Sequence, residues 1–214
     1  KSLEGFMDIR TIFSKLKVIP VTVFDDVDSA LRVTELLVKH KVGVIEVTLR
    51  TEKAFDCIKS IGREFKDIVV GAGSVLDTVS LQRAVDCGAV FAVAPSLDEK
   101  IVEYSNQIKI PFIPGVATPG ELHRAIKLSQ IIKIFPAKNL GGVDYINAIT
   151  APFRMMDFAV VPTGGIDNKN YKEYLSCDRV IACGLSYPVN EKLIKEKDFD
   201  SIEKRIVEIY GENN

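Results

Sequence analysis

Short apolar, β-branched runs recur along the chain at 18–24, 44–49, 68–70, 90–94, 111–116, 131–135, 158–161 and 180–183. Their starts lie about 20 to 27 residues apart, and each is short and continuous, as a strand buried on both faces should be. Between them the apolar positions fall at helical spacing, which predicts helices over 27–39, 52–65, 78–87, 99–106, 119–129 and 168–175. Boundary residues agree. Asp77 precedes the third helix, Asp98 the fourth, Thr118-Pro119 opens the fifth, and Gly88 follows the third where a stop is expected.

Strand–helix alternation argues for a parallel sheet covered on both faces. Eight units of even size predict an α/β fold of the (β/α)8 TIM barrel type. A doubly wound open sheet is the alternative, weakened by the even units and by the lack of an early Gly-x-Gly-x-x-Gly. Segment 8–16 reads as an extra N-terminal helix closing the barrel bottom. No linker or low-complexity stretch divides the chain, so 8–214 is predicted to be a single barrel domain, with 1–6 an expression remnant ahead of Met7.

A barrel places its site at the carboxyl ends of the strands, and polar residues stand there. Lys133 interrupts the apolar run Ile131-Ile132-Lys133-Ile134-Phe135-Pro136. An ammonium in a buried strand is costly unless it is paired or gives up its proton, and a neutral amine attacks carbonyls. Period-two alternation puts Glu46, Thr48 and Arg50 on one face, opposite Val47 and Leu49, and puts Lys133 and Phe135 inward. An acid, an amine and a guanidinium are thus expected to converge. A snorkelling lysine or a structural ion network is the blander reading; buried ion pairs are poor stabilisers, which favours function. Ser74 adds a hydroxyl after Gly71-Ala72-Gly73, small residues that let backbone approach a ligand, and Pro95 and Pro114-Gly115 read as rigid lids. Thr163-Gly164-Gly165, before a helix start at Asp167/Asn168, and Gly184-Leu185-Ser186 read as an anion cradle of backbone N–H groups after strands seven and eight. A pair of tight turns is the alternative.

Composition narrows the chemistry. The 214 residues are 47% hydrophobic and 27% charged with a formal net charge of −1, an ordinary soluble globular balance that gives no support for a nucleic-acid partner. No apolar stretch approaches the ~18–20 residues of a membrane span, and the N-terminus lacks a signal-peptide h-region. Cys57, Cys87, Cys177 and Cys183 form no Cys-x-x-Cys pair and are expected to be buried free thiols, which points to a cytoplasmic location. His40 and His123 have no ligand-like spacing, so a metal site or a serine–histidine triad is poorly supported.

Glu46-Val47-Thr48-Leu49-Arg50-Thr51, Gly71-Ala72-Gly73-Ser74-Val75, Pro114-Gly115-Val116-Ala117-Thr118, Lys133-Ile134-Phe135-Pro136-Ala137, Gly141-Gly142 and Pro162-Thr163-Gly164-Gly165-Ile166 closely resemble the motifs of the 2-keto-3-deoxy-6-phosphogluconate (KDPG) aldolases. These include bifunctional enzymes that also cleave 4-hydroxy-2-oxoglutarate (KHG). The resemblance implies a (β/α)8 class I aldolase without metal or cofactor, usually a homotrimer, acting on a small-molecule 2-keto acid. It implies Lys133 as the Schiff-base lysine and Glu46 as the general acid/base. Arg50, with Ser74, Pro95 and Phe135, would hold the pyruvate end; Gly164, Gly165 and Ser186, with Thr163 and Gly184 beside them, would hold the phosphate. The chain departs from many members at Ser74 (threonine there), at Leu185 (glycine) and at Lys138 (an acid). Leucine tolerates positive φ poorly, so the cradle is expected to differ, whereas Lys138 adds positive charge that favours an anionic far end. Two rivals share these residues. One is a phosphate-binding barrel isomerase or epimerase without a covalent intermediate, the other a non-catalytic sugar-acid-phosphate binding protein.

Overall fold

The computed structural model describes residues 8–211; the stretch 1–6 read as a remnant lies outside them. Nine strands occur among the described residues: β1 (Val18–Thr22), β2 (Val44–Thr48), β3 (Val69–Gly73), β4 (Phe91–Val93), β5 (Phe112–Ile113), β6 (Gly115–Val116), β7 (Ile131–Ile134), β8 (Ala159–Pro162) and β9 (Cys183–Leu185). The helices are α1 (Ile9–Leu16), α2 (Val27–Lys39), α3 (Ala54–Glu64), α4 (Thr78–Asp86), α5 (Glu99–Gln107), α6 (Pro119–Ile126), α7 (Gly142–Thr150), α8 (Tyr171–Leu175), α9 (Glu191–Lys195) and α10 (Phe199–Tyr210). This is an α/β fold with a curled parallel sheet. One sheet runs β5-β4-β3-β2-β1-β9 and the other β6-β7-β8. Isolated parallel bridges, Val160 to Val180 and Thr163 to Gly184, join β8 to the β9 segment. On the other side only Pro114 separates β5 from β6; proline has no N–H for the ladder, so the fifth predicted strand is interrupted there.

Alternation sorts the strand side chains into two cores. Ile45, Val47, Val70, Ala72, Ile132, Ile134 and Val160 join the large cluster against the helices. Ile19, Val44, Val69, Phe91, Val93, Ile113, Ile131, Val161 and Ala182 face the other way and form a second cluster with Ile9 and Phe13 of α1. The Phe13 ring meets Phe91 edge-on, 5.4 Å between centroids.

The caps act as read. Asp77 accepts from Ser80 N and Asp98 from Lys100 N. Thr118 and Glu121 form a reciprocal capping box, and Gly88 has φ +103°. Several boundaries differ. The third strand, expected over 68–70, spans Val69–Gly73 because β2 pairs with it from Val44–Val69 to Thr48–Gly73 despite the weak strand preference of glycine. The eighth, expected over 180–183, becomes β9, since pairing with β1 runs from Val18–Cys183 to Pro20–Leu185. The helix expected from 168 starts at Tyr171, because Asn170 Oδ1 first accepts from Asp167 N–H and Asp167 Oδ1 from Lys169 N–H in a local turn. Cys57, Cys177 and Cys183 are buried free thiols, but Cys87 is only half-buried. Among the described residues no helix is long and apolar enough to cross a membrane.

Candidate active site

Only two of the buried polar residues among those described carry ionisable charge: Glu46, 4% exposed, and Lys133, 6% exposed. Both follow the inner apolar layer by one step of the pleat. Val44 precedes Glu46 on β2 and Ile131 precedes Lys133 on β7, so each charge faces the interior beyond that layer. In register, Glu46 lies beside Val21 of β1 and Gly71 of β3, while Lys133 lies between Gly115 of β6 and Val161 of β8.

Glycines make room for these groups. A Cβ on Gly73 would stand 2.1 Å from Glu46 Oε1, and one on Gly71 would stand 2.1 Å from the Phe91 ring. The two glycines expected to let backbone approach a ligand instead accommodate the carboxylate and an inner-core ring. The sequence held the signal, Gly-x-Gly at period two, without identifying its occupants. Gly115 is likewise pressed against Pro95, whose carbonyl would be 2.3 Å from an added Cβ. Gly115 opens β6 instead of following a strand as a lid, and it brings Pro95 next to the Lys133 strand. Thr48 donates its hydroxyl to Thr22 O, and Thr22 donates to Glu46 O, both at 2.8 Å. These bonds tie the β1–β2 edge without using the carboxylate.

Glu46 Oε1 is buried without a hydrogen-bond partner among the described residues. Burial holds the carboxyl above its usual range, and the charge of Lys133 opposes that rise. The Lys133 ammonium lies 5.0 Å from the centroid of Phe135, so Phe135 stands where alternation put it. An unsatisfied carboxylate oxygen and an amine on facing strands of one interior can serve proton transfer and nucleophilic attack.

Arg50 stands apart from the buried pair. β2 ends at Thr48, two residues short of it, so alternation no longer governs its direction. Its side chain is 59% exposed and points to Glu191 of α9 at 3.8 Å. Glu191 also pairs with Lys195 at 2.8 Å, and Lys195 with Asp25 at 3.4 Å. The guanidinium is therefore at the rim, outside the Glu46–Lys133 pair, and no local pattern announced Glu191. Ser74 is half-buried with φ +57° directly after β3.

The cradle residues assemble at adjoining strand ends. Thr163 donates its N–H to Ile134 O, Gly164 and Gly165 have φ +100° and +73°, and Thr163 bridges to Gly184. Gly165 and Ser186 are exposed. Leu185 does not disturb this turn. It lies in β9, outside the left-handed region, with its side chain fully buried in the helix-facing core. His40 bonds Glu203 and His123 stacks on Phe153, both away from the site.

The family model for KDPG and KHG aldolases, of the aldolase group, matches residues 9–205. A 2-dehydro-3-deoxy-phosphogluconate aldolase of Pseudoalteromonas atlantica is 39% identical over 90% of this chain and 89% of its own. The KHG/KDPG aldolase of Escherichia coli K12 is 38% identical over 91% of each. Among solved structures, the KDPG aldolase of Legionella pneumophila, with pyruvate captured as a covalent carbinolamine, superposes with a TM-score of 0.90 at 33% identity, over 95% of this chain and 98% of its own. The Zymomonas mobilis ZM4 enzyme with 3-phosphoglycerate superposes at 0.85 with 30% identity, over 95% of both chains.

Proposed function

The chain belongs to the KDPG and KHG aldolase family, and on that premise we propose that it cleaves 2-keto-3-deoxy-6-phosphogluconate to pyruvate and glyceraldehyde 3-phosphate, and 4-hydroxy-2-oxoglutarate to pyruvate and glyoxylate. It is a carbon–carbon lyase working through a Schiff base. The observation that carries the assignment of roles is the buried pair of Lys133 and Glu46, with a Glu46 oxygen unsatisfied.

Lys133 in its neutral form attacks the C2 ketone. The carbinolamine that forms is the kind of adduct held by the Legionella pneumophila relative. Loss of water gives a protonated imine, an electron sink beside C3. Glu46 takes the C4 hydroxyl proton, the C3–C4 bond breaks, and its electrons pass into an enamine as the aldehyde leaves. Protonation at C3 and hydrolysis release pyruvate and restore the amine. The raised pKa of Glu46 suits a group that both accepts and returns a proton.

Arg50 grips the C1 carboxylate by turning from Glu191. The exposed 3.8 Å pair it leaves is weak, so this turn costs little. Ser74, Pro95 and Phe135 border the pyruvate end. Thr163, Gly164, Gly165, Gly184 and Ser186 form the anion cradle, and a phosphorylated acid bound by the Zymomonas mobilis relative supports that role. The two parallel sheets, linked by the β8–β9 bridges and across Pro114, are the wall of one closed (β/α)8 barrel formed by the described residues, with α1 as the extra helix at its amino-terminal end. A homotrimer in the cytoplasm completes the proposal.

Borohydride reduction with pyruvate, then peptide mass mapping, tests it. The expected result is a stable adduct on Lys133 that requires pyruvate. Folded protein without an adduct in excess pyruvate would overturn the Schiff-base assignment in favour of an isomerase or a binding protein.

A further inference from the structure

The segments after β7, β8 and β9 meet along one stretch of the rim. After β7, Ala137 donates its N–H to Thr163 O at 2.8 Å and Lys138 donates its own to Gly164 O at 3.0 Å. The segment carrying Lys138 is thereby fastened to the turn after β8. A Cβ on Gly165 would stand 2.5 Å from Lys138 Cβ and 2.8 Å from its Cδ. The alkyl stem of Lys138 therefore lies across Gly165, which is held at glycine by this contact and by its φ of +73°. The Thr163–Gly184 bridge brings β9 alongside, and exposed Ser186 follows Gly184 by two positions.

Lys138 is exposed, and among the described residues it makes no ion pair within 4.0 Å. With its stem packed on a glycine and its head in water, the ammonium is tethered beside the two-glycine turn. It also follows buried Lys133 by five positions, past the Phe135–Pro136 step, and is open to solvent.

Resting on the aldolase reading, we propose that Lys138 is a specificity-determining residue: its ammonium joins the Gly164–Gly165 backbone and the Ser186 hydroxyl in holding a phosphate at the far end of the substrate. A phosphate monoester carries about −1.5 to −2 charge near pH 7 and offers three acceptor oxygens, matched by a cation and several neutral donors. The carboxylate of 4-hydroxy-2-oxoglutarate has one charge and is bonded directly to C4, so it stays near the reacting carbons and draws less from Lys138. The chain is thereby biased toward the phosphorylated six-carbon keto acid.

The test is Lys138→Met, which keeps the stem on Gly165 and removes the charge, with Lys138→Glu as the reversal. Steady-state kinetics on 2-keto-3-deoxy-6-phosphogluconate and on its unphosphorylated counterpart give the ratio of kcat/KM values. In Lys138→Met that ratio falls about five- to tenfold, through KM, as expected for one partly exposed cation on a phosphate. It falls further in Lys138→Glu. KM for the phosphorylated substrate rises with salt in the unsubstituted protein and rises less in Lys138→Met. A ratio constant to within about twofold, or an equal loss on both substrates, overturns the proposal. Pyruvate–borohydride labelling separates the two levels. Label on Lys133 with an unchanged ratio sinks the role of Lys138 alone; no label in the unsubstituted protein sinks the aldolase reading and this proposal with it.

Discussion

At Val44, Val69 and Ile131 the inner faces of β2, β3 and β7 are apolar and join Ile9 and Phe13 of α1. Two residues further along the same faces stand Glu46, Gly71 and Lys133. The lower layer excludes water and contributes stability, about 1.5–3 kcal/mol for each large side chain fully buried. The upper layer buries charge, leaves a carboxylate oxygen without a partner and leaves the Glu46 carboxyl reluctant to ionise. One repeat of the pleat separates the part of the interior that holds the fold from the part that works against it. Stability and chemistry are thus neighbours on each strand and depend on different residues.

Substitutions in each layer test how separate they are. The largest effect is expected from Lys133→Met: kcat falls by about 10⁴-fold or more, because the covalent route is gone. Thermal stability changes little, since the desolvation cost removed with the buried amine is offset by the loss of its charge beside the Glu46 carboxyl. A loss of stability alongside the loss of activity would break the division, and a pyruvate-release assay paired with a melting curve reads both. Next is Phe13→Ala, in the lower layer at 1% exposure. It costs about 3–5 kcal/mol in denaturant unfolding, with kcat per folded molecule unchanged.

Glu46→Gln sharpens the contrast on a smaller scale. It lowers kcat by about 10²–10³-fold and raises Tm near neutral pH by about 2–4 °C if the net burial cost is close to 1 kcal/mol. The sign follows from the raised pKa. The folded state binds the Glu46 proton more tightly than the unfolded state, so the stability of the unsubstituted protein falls as pH climbs from 4.5 through the folded pKa. The advantage of Glu46→Gln accordingly grows over that window and vanishes below it, which a series of melting curves against pH will reveal.

Much of this organisation was legible in the chain. Asp77, Asp98 and Thr118 announced helix starts because capping is a contact over two or three residues. Lys133 and Glu46 were readable as inward because both sit within regular strands. The direction of the Arg50 side chain was not legible for the converse reason: β2 stops at Thr48, and beyond a strand the period-two rule has no force. The end of β3 at Gly73 was invisible too, since glycine carries no strand preference and the pairing comes from β2. Glu191 could not be foreseen as the partner of Arg50, because α9 reaches it only through the fold.

The order of strands and helices, the division of each strand into an inner and an outer face, and the choice of Glu46 and Lys133 as inner charges were determined by the sequence alone. They rest on local geometry, the alternation of Cβ atoms along a strand and the spacing of a helix, which the chain carries wherever it goes. Tertiary structure alone decided that Gly73 makes space for the Glu46 carboxylate, that Lys138 lies across Gly165, and that Arg50 waits at the rim beside Glu191. Each of these joins segments remote in the chain, and their meeting is set by the packing and closure of the whole sheet, for which no local periodicity exists.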